Sequence, residues 1–246
     1  MTLTAEELAA LPPKAKRDPK VVELYREHDY LTAYSLHTAE RIAQEGYEAA
    51  AGADASRDNW DTHGNLQRDF LLNMGLQPHH RLLEFGCGAG RLARKIVPYL
   101  EEGHYHGVDI STAAITAAKE LSIREGWNAR HPRFWWRNIH ASQVRSFQFV
   151  WAHSVTTHLP PPLIAELFAE AANAMVDNGV FYWTYLPAER DERYGLTQFR
   201  TTVATLRRCA EEAALTFDEV PDWVRLAGYE PGRWSYGQSL AVSRRA

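Results

Sequence analysis

From about residue 63 onward, short apolar runs alternate with longer amphipathic stretches. The runs predict strands over 81–85, 105–109, 134–137, 147–152, 180–185, 216–220 and 239–243. Three-and-four spacing between them predicts helices over 65–74, 91–99, 112–125, 161–175 and 199–214. The early strands show little polar alternation, as expected where helices cover both faces of a sheet. This order predicts an α/β fold with a doubly wound, mostly parallel sheet, whose ligands bind at the carboxyl ends of the strands. Ahead of it, residues 4–10 and 20–51 are rich in helix formers, separated by Pro12, Pro13 and Pro19, with Gly52 as a helix stop. In the longer piece Val21, Leu24, Tyr25, His28, Leu31, Ala39, Ile42 and Ala43 share one face. Residues 52–62 are small and polar and read as a connection. The expected division is a helical extension or lid over 1–60 and an α/β domain over 61–246.

Composition narrows the class. Of 246 residues, 45% are hydrophobic and 24% charged, which is globular rather than disordered. No apolar run approaches the ~18–20 residues of a membrane span. The N-terminus has acids ahead of its basic cluster and no apolar block, so no signal peptide is expected. Two cysteines, Cys87 and Cys209, make no disulfide framework and suit the cytoplasm. A net charge of -4 argues against a bulk nucleic-acid binder. The mixed run Arg130-His131-Pro132-Arg133-Phe134-Trp135-Trp136-Arg137 reads as a buried third strand with arginines at its ends, in preference to a base-stacking platform.

The strongest local signal is Leu82-Leu83-Glu84-Phe85-Gly86-Cys87-Gly88-Ala89-Gly90-Arg91. A buried strand runs into alternating glycines that let a ligand lie on bare backbone, and a helix start follows with free N–H groups. Asp109 ends the next strand, 19 positions beyond Gly90, where a carboxylate can accept from both hydroxyls of a ribose. Ser111 is the better helix cap there. The third glycine comes one position too early for the dinucleotide fingerprint, and no Lys-Ser or Lys-Thr follows as in a phosphate loop. Loop and acid together point to a nucleoside ligand.

With Glu84-Phe85-Gly86-Cys87-Gly88-Ala89-Gly90 and Val108-Asp109, the chain resembles the class I S-adenosylmethionine-dependent methyltransferases. Phe149-Val150-Trp151-Ala152-His153-Ser154 and the following Val155-Thr156-Thr157-His158-Leu159 look like that family's fourth strand and its loop. Asn178-Gly179-Val180-Phe181 looks like the turn into its fifth strand. The resemblance implies a seven-stranded, Rossmann-like sheet. It also implies S-adenosyl-L-methionine as cofactor, with S-adenosyl-L-homocysteine as product. By it, Gly86, Gly88 and Gly90 lie under the amino-acid moiety, Glu84 fixes its ammonium, directly or through water, and Phe85 and Cys87 complete the cofactor-binding loop, Cys87 as a small filler. Asp109 holds the ribose, and Ile110 packs on the adenine. Asn138 and Ile139 replace the family's usual adenine-reading acid, and His153 and Ser154 lie near the sulfonium end.

Methyl transfer from a sulfonium needs alignment, and a base where the nucleophile carries a proton. His158, in the loop after the fourth strand, is the candidate base; a packing role is the alternative. His140 lies too near the adenine end. The pairs His79-His80, His104 with His106, and His153 with His158 lack carboxylate or thiolate partners at ligand spacing, so no metal is expected. His104 and His106 read as flanking a strand at the surface. Trp60, Tyr30, Tyr34, His37 and Tyr185 are candidate substrate-side residues, an aromatic set suited to a small polar molecule. The expected reaction is methyl transfer to an oxygen, less readily a nitrogen, of a small metabolite, with no nucleic-acid or membrane partner. Rival readings are an RNA or protein methyltransferase, a nicotinamide oxidoreductase and a non-catalytic cofactor-binding regulator.

Overall fold

The computed structural model describes residues 2–13, 18–48, 57–137, 144–230 and 237–246. Asn138, Ile139, His140 and Gly52 lie outside the described residues.

The central sheet has seven strands, the inner ones buried along nearly their whole length. The seven are β1 (Leu82–Phe85), β2 (Tyr105–Asp109), β3 (Arg133–Trp136), β4 (Phe147–Ala152), β5 (Met175–Tyr185), β8 (Asp218–Val220) and β9 (Ser239–Ser243). Their order is β3-β2-β1-β4-β5-β9-β8. All pairings from β3 to β5 are parallel, and β9 runs antiparallel to both β5 and β8. Phe85 is in register with Val108 and with Ala152, so β1, β2 and β4 end side by side. The doubly wound prediction therefore holds, with the order reversing between β1 and β4, where such sheets bind ligands.

Period-two alternation divides the core. Leu82, Tyr105, Trp151 and Tyr182 pack on one face with Leu66, Phe70 and Trp223. Leu83, Val108, Val150 and Trp183 pack on the other with Ile164, Phe168 and Leu206. Helix α4 (Arg57–Asn73) and α9 (Trp223–Leu226) cover the first face, while α7 (Pro161–Ala174) and α8 (Val203–Glu212) cover the second. A third, smaller core joins Leu3, Leu11, Val21, Tyr25, Tyr30 and Ala33 to Leu196 and Phe199. It ties α1 (Ala5–Ala10), α2 (Pro19–Glu27) and α3 (Tyr30–Glu45) to a hairpin of β6 (Glu192–Arg193) and β7 (Phe199–Arg200).

Several predicted boundaries move for local reasons. The long N-terminal helix is two helices, because Asp29 takes extended backbone and its carboxylate accepts from Thr32 N–H as an N-cap. α3 stops at Gly46, whose φ of +94° closes the last turn. α4 begins eight residues before the predicted helix and runs across the boundary drawn at 60/61. Over 91–99 only α5 (Ala93–Ile96) is α-helical, and the rest is turn. Phe199–Arg200 pairs as β7 rather than opening a helix, and Thr202 caps α8. β5 starts directly after α7, so Asn178 and Gly179 lie inside the strand. A Cβ on Gly179 would come within 2.9 Å of the Phe147 carbonyl, where the β4–β5 register shifts. The third strand is an edge strand, with Phe134 and Trp135 half-buried and Trp136 exposed. His106, expected at the surface, is fully buried in β2, and Trp135 Nε1 donates to its Nδ1 at 3.2 Å. Among the described residues, no helix is long and apolar enough to cross a membrane.

Candidate active site

A cavity of about 750 Å3 opens where β1, β2 and β4 end. Its floor is the loop after β1. Gly86 has φ +66°, and a Cβ there would meet Val155 Cγ2 at 2.5 Å, so conformation and space both require glycine. Cys87 N–H donates to Val108 O at 3.0 Å, carrying the β1–β2 ladder into the loop. The Cys87 side chain fills the space over Gly107, where a Cβ would lie 2.9 Å from Sγ. Phe85, Gly86, Cys87, Gly88, Asp109, Ile110, His153 and Ser154 all line the cavity, as expected. Gly90 does not; it turns the chain behind the loop, against Ala93, Ala118 and Trp127.

Two carboxylates flank the loop. Asp109 accepts from Gly88 N–H and from Ser111 N–H, both at 2.8 Å, which fixes its rotamer at the cavity wall. Burial pushes its carboxyl up, and these backbone bonds oppose the shift. Ser111 Oγ accepts from Ala114 N–H and caps α6 (Thr112–Arg124), leaving Asp109 free of that task. Glu84 is buried under the loop and accepts from Tyr105 O–H at 2.5 Å. Burial pushes its carboxyl up to about 8, opposed by the Tyr105 bond and by Arg91.

The opposite wall comes from α4. Trp60, His63 and Gln67 follow helical spacing and face the cavity, although Leu66, Phe70 and Leu71 of the same helix enter the core. Trp151 Nε1 donates to Gln67 Oε1 at 3.1 Å, turning the amide nitrogen away from the sheet. Arg91 lies 3.4 Å from His153 Nδ1, making that nitrogen the acceptor and Nε2 the protonated one. Trp60 Nε1, Gln67 Nε2 and His153 Nε2 are buried with no hydrogen-bond partner among the described residues. All three residues line the cavity, but these nitrogens themselves are covered by neighbouring atoms.

His158 sits on the 3-10 turn Thr156–His158 that follows β4. Its Nδ1 lies 2.6 Å from the Thr197 carbonyl, so Nδ1 carries the proton and Nε2 keeps its lone pair. Burial holds its pKa below the ordinary histidine value, so the ring is neutral. Tyr34 packs edge-on against it at 5.6 Å, and α3 roofs the cavity through Tyr30, Tyr34, His37, Thr38 and Arg41. Of the substrate-side candidates, Trp60, Tyr30, Tyr34 and His37 line the cavity. Tyr185 does not: it is buried between Trp183 and Phe217, and its hydroxyl donates to Glu219 at 2.5 Å. Sequence reading missed His63, Gln67, Arg91, Thr197 and Gln238, which also line the cavity. For His63 and Gln67 a signal existed, namely polar residues at i and i+4 inside a helix whose neighbours are core residues.

The comparisons agree with this geometry. The profile of the methyltransferase-domain family matches residues 83–181. The ubiquinone biosynthesis O-methyltransferase of Hahella chejuensis (strain KCTC 2396) is 25% identical over 97 residues. That match covers 39% of this chain and 40% of the relative, so the chain spans about two fifths of the length of the curated relative it matches. Among solved structures, the CcbJ methyltransferase from Streptomyces caelestis superposes with a TM-score of 0.64 at 17% identity, over 89% of this chain and 100% of that one. Magnesium protoporphyrin IX methyltransferase from Synechocystis PCC 6803, solved with bound S-adenosylmethionine, superposes at 0.59 and 14%, over 87% and 97%. Residues 83–181 thus match a methyltransferase-domain model, and the chain shares its fold with solved methyltransferases, one of them holding S-adenosylmethionine.

Proposed function

We propose that this protein transfers a methyl group from S-adenosylmethionine to an oxygen of a small polar metabolite, with His158 as general base. The reading is carried by one observation: Asp109 and Glu84 flank bare backbone at Gly86–Gly88 on the wall of one cavity. These groups fit the cofactor. Asp109 accepts from a ribose diol while its backbone bonds hold it still. Glu84 would hold an ammonium, whose charge would favour the ionised carboxylate that burial otherwise disfavours.

The cofactor, when bound, supplies a methyl group already activated by its sulfonium. The chain's own task is then alignment, exclusion of water and removal of one proton. His158 Nε2, neutral and facing the cavity, takes the hydroxyl proton as the acceptor oxygen attacks. α3 closes the cavity from above with Tyr34 and His37. A volume of about 750 Å3 suits a cofactor with a small partner, which supports a metabolite over a macromolecule.

The test is calorimetric titration with S-adenosylhomocysteine, with NADH in parallel. Saturable binding of the first alone supports the reading; binding of NADH alone sinks it. A panel of hydroxylated and aminated metabolites with methyl-labelled cofactor then finds the acceptor. His158→Gln should lower kcat by about 10²–10⁴-fold with KM for the cofactor unchanged.

A further inference from the structure

Two hydrogen bonds reach His158 from outside the sheet and its covering helices, and Arg193 stands behind both. Tyr30, the first residue of α3, donates its hydroxyl to the His158 carbonyl at 2.5 Å. The Thr197 carbonyl, in the turn between β6 and β7, accepts from His158 Nδ1 at 2.6 Å. Arg193 shapes that turn, donating to the carbonyls of Gly195 at 3.3 Å and Leu196 at 2.6 Å. Its guanidinium also lies 5.3–5.8 Å from the ring centres of Tyr25, Tyr30 and Phe199. One side chain thus links the carbonyl that sets the histidine to the helices that roof the cavity.

The consequence follows from the chemistry of imidazole. A neutral ring has one N–H, and the partner of one nitrogen decides which nitrogen carries it. A carbonyl can only accept, so Thr197 on Nδ1 forces the lone pair onto Nε2. The third core, formed by Leu3, Val21, Tyr25 and Ala33 with Leu196 and Phe199, makes the N-terminal helices and the hairpin one packed body.

We propose that seating of the N-terminal helices arms the base: Tyr30 and Arg193 are positioning residues that hold the Thr197 carbonyl on His158 Nδ1, so that Nε2 presents its lone pair only when α2 and α3 are docked. The proposal rests on the reading of His158 as the base. Closure of the roof then excludes water and completes the catalytic arrangement in one event.

The experiment is long-range 1H–15N correlation of the full chain labelled at histidine, with His158 assigned from the signals lost in His158→Gln. The wild-type spectrum should show one His158 tautomer, protonated at Nδ1. Tyr30→Phe keeps the ring over Arg193 and removes only the hydroxyl; it should replace that single tautomer by a mixture. Arg193→Gln should do the same. A wild-type His158 protonated at Nε2 overturns the proposal. So do unchanged His158 signals in the variants, even where melting temperature falls, because the contacts would then be packing alone. If Arg193→Gln does not fold, the wild-type and Tyr30→Phe spectra still decide. None of these spectra needs cofactor or acceptor. Full turnover in His158→Gln with the tautomer coupling intact would instead remove the base role alone.

Discussion

Glu84 and Asp109 are carboxylates in the same cavity, but their surroundings differ. Glu84 has a single hydrogen-bond donor, Tyr105, and burial raises its carboxyl to about 8. Because the folded value lies above that of the unfolded chain, Glu84's contribution to stability is full below about pH 4 and is lost as pH rises through about 8. An arriving ammonium reverses the preference. Affinity for S-adenosylhomocysteine should therefore climb, by up to about tenfold per unit, as pH rises toward 8, and then level. Calorimetry in buffers of different ionisation enthalpy should show proton release near pH 7, and Glu84→Gln should abolish both effects.

Asp109 accepts two backbone N–H bonds and so also holds the loop. Asp109→Ala should weaken S-adenosylhomocysteine roughly 10–100-fold, the worth of a charged hydrogen bond at about 1.5–3 kcal/mol. It should also lower the melting temperature, since Gly88 and Ser111 lose their acceptor. Asp109→Asn keeps an acceptor and should recover part of both losses. If neither variant changes affinity, the ribose role falls.

At the scale of elements, α4 forms one wall of the cavity and packs against the segment that follows the glycine loop. Gly64 lets it approach: a Cβ there would lie 2.7 Å from the Arg91 carbonyl. That contact is with backbone, which cannot swing aside. Gly64→Ala should cost about 1–3 kcal/mol by overpacking, despite alanine's better helix propensity. Differential scanning fluorimetry should show a fall of several degrees. Cofactor affinity should fall too, because Trp60, His63 and Gln67 move with the helix. A gain in stability would mean that α4 is less tightly seated than this geometry requires.

Across the whole molecule, the roof is built from sequence remote from the floor. Tyr34, Thr38 and Arg41 of α3 face the cavity opposite Asp109 and Gly88. A ligand between them ties the two layers together, so amide exchange in α3 should slow when S-adenosylhomocysteine is added. Exchange in α8, on the outer face of the sheet, should stay as it was and serves as the control. Equal exchange in α3 with and without ligand would mean that the roof is already closed or takes no part.

Local chemistry made much of this legible in advance. The alternation of apolar runs with helical stretches carried the layer architecture, because both faces of a parallel sheet must be covered. Phe147–Ala152 and Ser239–Ser243 fall where the runs put them. Strand, glycines and acid are close in sequence, and so were Gly86, Gly88 and Asp109 as cavity residues. Other features depend on contacts between distant segments, which no local pattern encodes. Gly90 has the same composition signal as its neighbours but turns behind the loop, and Tyr185 follows a strand like a pocket residue but enters the core. The proton on His158 is set by a carbonyl 39 positions away, and Trp60, His63 and Gln67 become cavity residues only once α4 packs beside the loop. Local pattern along the chain was enough to place the sheet, the glycine loop and its acid. Tertiary structure alone decided which side chains share the cavity and which nitrogen of His158 faces it, because burial and hydrogen-bond partnership are properties of the folded chain.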